Sequence, residues 1–389
     1  MRALPTIVFS IALFFVSNAF AEKEATVIVI SMDGMRHDIS RSDDLDAFKR
    51  IATMGLKADH LIPVYQSSTY PAHVSMATGV YPDRHGILHN SFIDTQKGRF
   101  SYDADANWIE VPPIWVLAEQ QGIKSAVFFW VGSETDWHGV GASYRKAPFD
   151  PNIKEEQKIE QILKWVDMDK VNRPRLIMSY WDGTDDLGHI DGPESPRVSE
   201  QLRRQNKHLQ DLITAIDVRE AWGYLTLIVV SDHGMTEVNN YINLEQLLRI
   251  SGIKAEISAG PAVAHIFLQA DDIEQAKDFL SKQEHLAVYT KKDLPDAFHL
   301  YHPSRTGDIV VTTAAPNMFS SYGQPKGMHG YRPETPDMWG IFYAIGAAIE
   351  HKELGPVHQI DLAPTIADIL GIKGTDHMQG KIISLKDRD

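Results

Sequence analysis

Residues 26–32 (TVIVISM) are almost wholly apolar or β-branched, and polarity returns abruptly at Asp33-Gly34. A short run without polar alternation predicts a strand buried on both faces. The pattern recurs. Residues 125–130 (SAVFFW) precede Val131-Gly132-Ser133, 175–180 (RLIMSY) precede Trp181-Asp182-Gly183, and 225–230 (LTLIVV) precede Ser231-Asp232-His233-Gly234. Residues 44–54, 113–121, 154–166 and 199–219 are helix-like. Strands alternating with helices predict an α/β fold, with a mostly parallel central sheet flanked by helices on both faces. Ligands of such sheets bind beyond the carboxyl ends of the strands. The acidic and histidine-rich turns are therefore expected to converge on one edge.

The pattern changes over 251–310. AVAHIFLQA reads as a strand, DDIEQAKDFLSKQ as a helix and EHLAVYTKK as a second strand, together a small α+β insert. Residues 311–338 are loop-like, and GIFYAIGAAI returns to the core. Residues 357–370 (VHQIDLAPTIADIL) predict a closing helix with Pro364 in its first turn. At the other end, residues 1–21 have an early Arg, an apolar run and a small-x-small Ala19-Phe20-Ala21. They read as a signal peptide cut after Ala21, leaving residues 22–389 as one catalytic domain and implying a periplasmic or secreted protein. No later segment has the length and apolarity of a membrane span. The chain has no Cys, so any metal must be held by His, Asp and Glu. The net charge of −14 argues against a nucleic-acid-binding surface. It leaves small phosphorylated substrates open, because bound cations reverse the local field.

Four strand-end or loop sites carry metal-ligand chemistry: Asp33; Asp185 with His189; Asp232 with His233; and His329. Singly, each is an ordinary turn or cap residue. Jointly, six nitrogen and oxygen donors on one sheet edge are what two divalent ions require. Asp185 and His189 are four apart, so one helical turn puts both on one side. Asp232 and His233 are adjacent and need a sharp turn to serve one ion, which Gly234 would permit. In QSSTYPAHVSMATGVYPDRHGILHN (66–90), Thr69 is placed either to cap a helix that has Pro71 in its first turn or to act as a nucleophile. A threonine hydroxyl needs a base or a metal for the second role, and a helix N-terminus would offer N–H groups and a positive dipole end to a phosphate. His73, His85 and His89 read as structural groups rather than ligands.

The segments VIVISMDGMR, STYPAHVSMATGVYPDRHGILHN, FFWVGS, YWDGTDDLGHIDGPES, VVSDHGM and GMHGY run through nearly the whole chain. In combination they resemble the nucleotide pyrophosphatase/phosphodiesterase family of the alkaline phosphatase superfamily. The resemblance implies an alkaline-phosphatase-like fold and a two-zinc hydrolase of phosphodiester or pyrophosphate bonds. It implies that Thr69 forms a covalent phospho-threonine. One zinc would be held by Asp33, Asp232 and His233 and would contact Thr69; the other would be held by Asp185, His189 and His329. Asn90 would donate to a phosphoryl oxygen. Tyr180 would line the substrate pocket, with Tyr70 and Tyr144 as aromatic partners.

The stretch around Thr69 has Asn90 but no adjacent Lys or Arg, which favours a singly charged phosphate diester or a pyrophosphate bond over a monoester, and the resemblance implies a nucleotide diester as the substrate. The alternatives are an alkaline-type phosphomonoesterase and a metal-dependent binding domain without activity. A sulfatase is disfavoured by the lack of Cys. A nicotinamide-dependent oxidoreductase is excluded because the first strand ends in Asp-Gly-Met, without a Gly-rich turn.

Overall fold

The fold is described from a computed structural model that covers residues 24–38, 44–321 and 323–386. The signal-peptide reading at 1–21 lies outside the described residues. The strand Thr26–Met32 is buried along its whole length. Val27 and Val29 enter one apolar core, while Ile28, Ile30 and Met32 enter the other. This is why the strand shows no polar alternation: both faces are covered.

Eight strands form the central sheet, in the order Lys352–Leu354, Leu56–Ala58, Phe342–Gly346, Leu225–Val230, Thr26–Met32, Leu176–Trp181, Ser125–Phe128 and Tyr144–Lys146. The last five run parallel. Phe342–Gly346 is antiparallel to both its neighbours. The mostly parallel α/β expectation therefore holds, with one reversed strand. Helices Ile114–Gln120 and Leu362–Leu370 cover one face, and Asp46–Met54, Glu155–Val166 and Pro196–Val218 cover the other. The closing helix starts later than expected. Val357–His358 is a short strand paired with Leu61–Ile62, and Pro364 lies in the first turn of Leu362–Leu370.

Residues 256–312 form a separate four-stranded antiparallel sheet: Glu256–Ala259, Val263–Phe267, Ile309–Thr312 and Ala287–Thr290, in that order. Helices Leu244–Ser251 and Ile273–Ser281 share its apolar core. Arg305, fully buried, fastens this unit to the main domain. Its Nε donates to Asp94 Oδ2 at 2.9 Å, and its Nη2 lies 2.7 Å from Glu110 Oε1. Burying a guanidinium is tolerable only with such partners.

Several histidines are buried neutral. Burial pushes His85 and His265 down to about 3 and His89 down to about 4. His85 meets the Ser75 hydroxyl at 2.8 Å and accepts from the Ile87 amide through Nδ1. Their pKa values are lower folded than unfolded, so the unfolded chain takes up protons first as pH falls. The stability they contribute is intact above about pH 6.5 and is lost below it, by about 1.4 kcal/mol per pH unit for each fully buried ring. Thermal unfolding followed from pH 7 to pH 5 should show this loss, and His85→Gln should make the slope shallower. An unchanged slope contradicts the assignment.

Candidate active site

Each parallel strand delivers its chemistry at its carboxyl end. Asp33 follows Thr26–Met32, Asp232 and His233 follow Leu225–Val230, and Asp185 opens the short helix Asp185–Asp191 just beyond Leu176–Trp181. The strand-end turns interlock. Gly183 (φ +59°) and Gly34 (φ +67°) lie where a Cβ would run into the Asp33 backbone and, at 2.8 Å, into Asp185 Cα. Only glycine allows these two loops to touch. His329 arrives from the long loop after the small sheet and is anchored behind the threonine turn, with Nδ1 2.9 Å from Ser67 O.

The structure brings together all six expected donors. His189 Nε2 lies 3.3 Å from Asp185 Oδ2, and His329 Nε2 lies 3.7 Å from Asp185 Oδ1. His233 Nε2 lies 3.5 Å from Asp33 Oδ1 and 3.3 Å from Asp232 Oδ2. The His233 and His329 rings stack with centroids 3.6 Å apart. Two trios have converging donor atoms: Asp185, His189 and His329, as expected; and Asp33, Asp185 and His233, in which Asp185 stands where Asp232 was expected. Asp185 thus sits between the two halves.

Every ligand-type histidine is oriented the same way. Nδ1 of His189, His233 and His329 each lies 2.9 Å from a backbone carbonyl, of Gly327, Gly234 and Ser67 respectively. A carbonyl can only accept, so each Nδ1 carries a proton, and each Nε2 is the nitrogen turned to the centre, able to offer a lone pair once it is deprotonated. Asp33 Oδ1, Asp185 Oδ1, Asp232 Oδ2 and His233 Nε2 are buried without a hydrogen-bond partner. Such orphaned atoms are costly unless something else satisfies them. A divalent ion that takes imidazole and carboxylate ligands fits this donor set.

The electrostatics agree. Burial, then Asp232 and Asp185, push the Asp33 carboxyl well above the usual range, although the Tyr180 hydroxyl donates to Asp33 Oδ2 at 2.7 Å. Asp185, despite burial, is held below the usual range by its bond to His189, and His189 is raised in turn. His329 is driven down by burial and by His233.

Thr69 is the first residue of the helix Thr69–Thr78, and Ser68 is its N-cap, without a side-chain capping bond. The cap alternative for Thr69 therefore falls. So does the expectation of several free N–H groups facing a phosphate. The Tyr70 amide already donates to Asn90 Oδ1 at 2.9 Å, and Pro71 has no N–H. What remains is the Thr69 amide, the dipole and the Asn90 amide group, which reaches Tyr102 Oη at 3.4 Å. His73 closes the turn from within: Nδ1 meets Thr69 O at 2.8 Å, and Nε2 meets Ser31 Oγ at 2.8 Å.

A cavity of about 390 Å³ opens above the cluster. Asp33, Thr69, Asn90, Asp185, His189 and His329 form its polar end, and aromatic rings line the rest. Tyr70 and Tyr180 line it, but Tyr144 does not. The Tyr144 hydroxyl donates to Asn172 O at 2.9 Å, because its edge strand turns the ring away from the site. The sequence reading missed Tyr102, Phe149 and Glu134 as lining groups. Glu134 directly follows the FFWVGS segment and was within reach. Tyr102 (φ +47°) and Phe149 stand on surface loops that periodicity does not describe. Gly234 is needed for a reason other than the turn: a Cβ there would meet Asp337 O, and no positive φ is involved.

A parallel α/β sheet with this strand-end cluster beside a helix-borne threonine defines an alkaline-phosphatase-like hydrolase. A family model described as type I phosphodiesterase/nucleotide pyrophosphatase matches residues 27–332, and the chain belongs to that family, whose members hydrolyse phosphodiester and pyrophosphate bonds. Human bis(5′-adenosyl)-triphosphatase ENPP4 is 28% identical over 96% of this chain and 84% of its own length. Human ectonucleotide pyrophosphatase/phosphodiesterase 5 superposes with a TM-score of 0.85 at 28% identity, covering 92% of this chain and 97% of that one. The murine counterpart, an inactive threonine-to-alanine variant in complex with AMP, superposes with a TM-score of 0.84 at 26% identity, covering 90% and 96%.

The raised Asp33 carboxyl makes a signed prediction for the metal-free protein. A carboxyl whose folded pKa is raised contributes stability below about pH 3.8 that is lost as pH rises. In excess chelator at pH 7, Asp33→Asn should therefore unfold at a higher temperature than the parent. Added zinc should reverse the order. A parent that stays the more stable form in chelator contradicts the electrostatic account.

Proposed function

We propose that this chain is an exported nucleotide phosphodiesterase/pyrophosphatase that works through two divalent ions and a phospho-threonine. Zinc suits the imidazole and carboxylate donors best. Asp33, Asp232 and His233 would hold the ion beside Thr69, and Asp185, His189 and His329 the other. The observation that carries this reading is the set of orphaned buried donors turned toward one another next to Thr69. When bound, the ions supply Lewis-acid charge that favours the Thr69 alkoxide and the departing oxygen.

The chain's own residues do the rest. Thr69 Oγ1 gives up its proton to solvent and attacks phosphorus in line. The phosphorus bond to the leaving oxygen breaks, the leaving group departs with the electron pair and takes a proton from water, and the phosphoryl group, still carrying its other ester, stays on Thr69. Asn90, fixed by the Tyr70 amide, presents its NH₂ group to a non-bridging oxygen. Water then attacks the phospho-threonine, regenerates the hydroxyl and releases a monophosphate. His73 holds the Thr69 carbonyl throughout, which keeps the nucleophile's turn rigid. Tyr70, Tyr102, Phe149 and Tyr180 offer flat apolar faces for a nucleobase or other planar group.

Among the described residues, no Lys or Arg lines the cavity. Arg84 is exposed on the turn Pro82–His85. A doubly charged monoester thus lacks a side-chain cation for its extra charge, which favours diesters and internal pyrophosphate bonds over the phosphomonoesterase alternative. The relatives named for a dinucleoside triphosphate and solved with AMP support a nucleotide substrate. Among the described residues no helix is long and apolar enough to cross a membrane.

Thr69→Ala should lower turnover of a nitrophenyl nucleotide diester by at least about 1000-fold while zinc content stays near that of the parent. Undiminished turnover contradicts the covalent route, and loss of both zincs makes Thr69 a structural element. On the parent enzyme, kcat/KM for the nucleotide diester should exceed that for nitrophenyl phosphate. The reverse order would make the chain a monoesterase.

A further inference from the structure

Arg36 stands three residues after Asp33, on the side of the cluster away from the cavity, and its side chain is only 10% exposed. Its guanidinium meets four separate segments. Nε and Nη2 grip Asp38 at 2.6 and 3.1 Å. Nη2 also pairs with Glu194, in the turn that follows the helix of Asp185 and His189. Nη1 donates at 3.2 Å to Met235 O, two residues after His233, and lies 4.0 Å from Asp337 Oδ1. Asp337 in turn accepts from Thr236 Oγ1 at 2.7 Å.

Met235 carries the grip further. Its side chain packs against Gly188, inside the Asp185–Asp191 helix, and against Gly327, two residues before His329. The same two segments are already joined by His189, which meets Gly327 O through Nδ1 and accepts from Lys326 N through its carbonyl at 2.9 Å. One planar cation with five donors therefore sits where the loops carrying Asp33, Asp185–His189, Asp232–His233 and His329 meet. A guanidinium can satisfy several directions in one plane, and a lysine ammonium cannot.

We infer that Arg36 is the positioning residue of the metal centre, a clamp that holds the four ligand-bearing loops at binding distance and so sets divalent-ion affinity. The inference rests on the two-ion reading above. It takes no part in bond making, because Arg36 does not line the cavity. Pre-ordering of ligands matters here because buried carboxylates repel one another until a cation arrives, and a loosened loop would relax away from the site. Loss of an outer partner of metal ligands typically weakens binding by about 10–100-fold.

The test is zinc affinity by chelator competition on the full chain. Arg36→Lys keeps the charge and loses the fork. It should weaken zinc binding by at least about tenfold, while kcat at saturating zinc stays within a few-fold of the parent. Asp38→Asn, at a half-exposed position, removes one anchor of the fork and should weaken binding by a smaller factor in the same direction. Arg305→Lys is the control, since that buried guanidinium pairs with Asp94 and Glu110 away from the ligands; it should lower thermal stability and leave zinc affinity unchanged. The inference is overturned if Arg36→Lys and Asp38→Asn bind zinc like the parent, or if Arg305→Lys loses as much affinity as Arg36→Lys. A parent that binds no zinc would remove the two-ion reading itself, a result distinct from equal binding by parent and variants.

Discussion

Two buried carboxylates, Asp33 and Asp232, and a half-buried third, Asp185, are forced into one small volume, and the local structure is arranged around that repulsion. Among the described residues, no Lys or Arg lines the cavity beside them. The nearest compensating groups are a phenol hydroxyl from Tyr180 on Asp33 and backbone amides of Gly34 and His233 on Asp232 Oδ1, at 3.0 and 2.9 Å. Those bonds satisfy one oxygen of Asp33 and one of Asp232, His189 Nε2 lies 3.3 Å from one oxygen of Asp185, and the other oxygen of each carboxylate has no partner. The arrangement is unfavourable in the absence of a cation, and a bound divalent ion would relieve it.

The parallel sheet makes that arrangement possible because neighbouring strands end together. Thr26–Met32 lies between Leu225–Val230 and Leu176–Trp181, so Asp33, Asp232 and Asp185 emerge side by side though far apart in sequence. The walls are fixed from behind. Gln359, buried near the closing helix, donates to Asp232 O and accepts from Val64 N, tying a ligand turn to the segment that leads to Thr69. Lys158, buried with Asp182 and Glu155, sits 5.7 Å from the Tyr180 ring and holds the wall opposite. On the proposed reading, specificity would fall to the aromatic outer part of the cavity, where Tyr102 and Phe149 stand on loops that can vary without disturbing the strand-end cluster.

Much of this was legible in the sequence, for physical reasons. Strands buried on both faces leave an unmistakable apolar run, and the polar residue that ends such a run can be located to within a residue or two. The strand at 225–230 was read with its observed bounds, and the four-residue spacing of Asp185 and His189 does place them on one helical turn. What was not legible depended on direction rather than on identity. Tyr144 has the right chemistry near the right strand, yet its ring bonds Asn172 instead of facing the cavity. Tyr102 and Phe149 reach the cavity through loop paths that no periodicity records. Thr69 was placed at the helix start, but its place inside the first turn, with Ser68 as the cap, is a matter of backbone angles.

The central claim is that the strand-end cluster holds two ions in separate sites, one of them beside Thr69. Anomalous diffraction from a zinc-loaded crystal measures this most directly. Two zinc peaks are predicted, one bound by Asp33, Asp232 and His233 within reach of Thr69 Oγ1, the other by Asp185, His189 and His329. A single peak held by Asp33, Asp185 and His233, or none, would contradict the account.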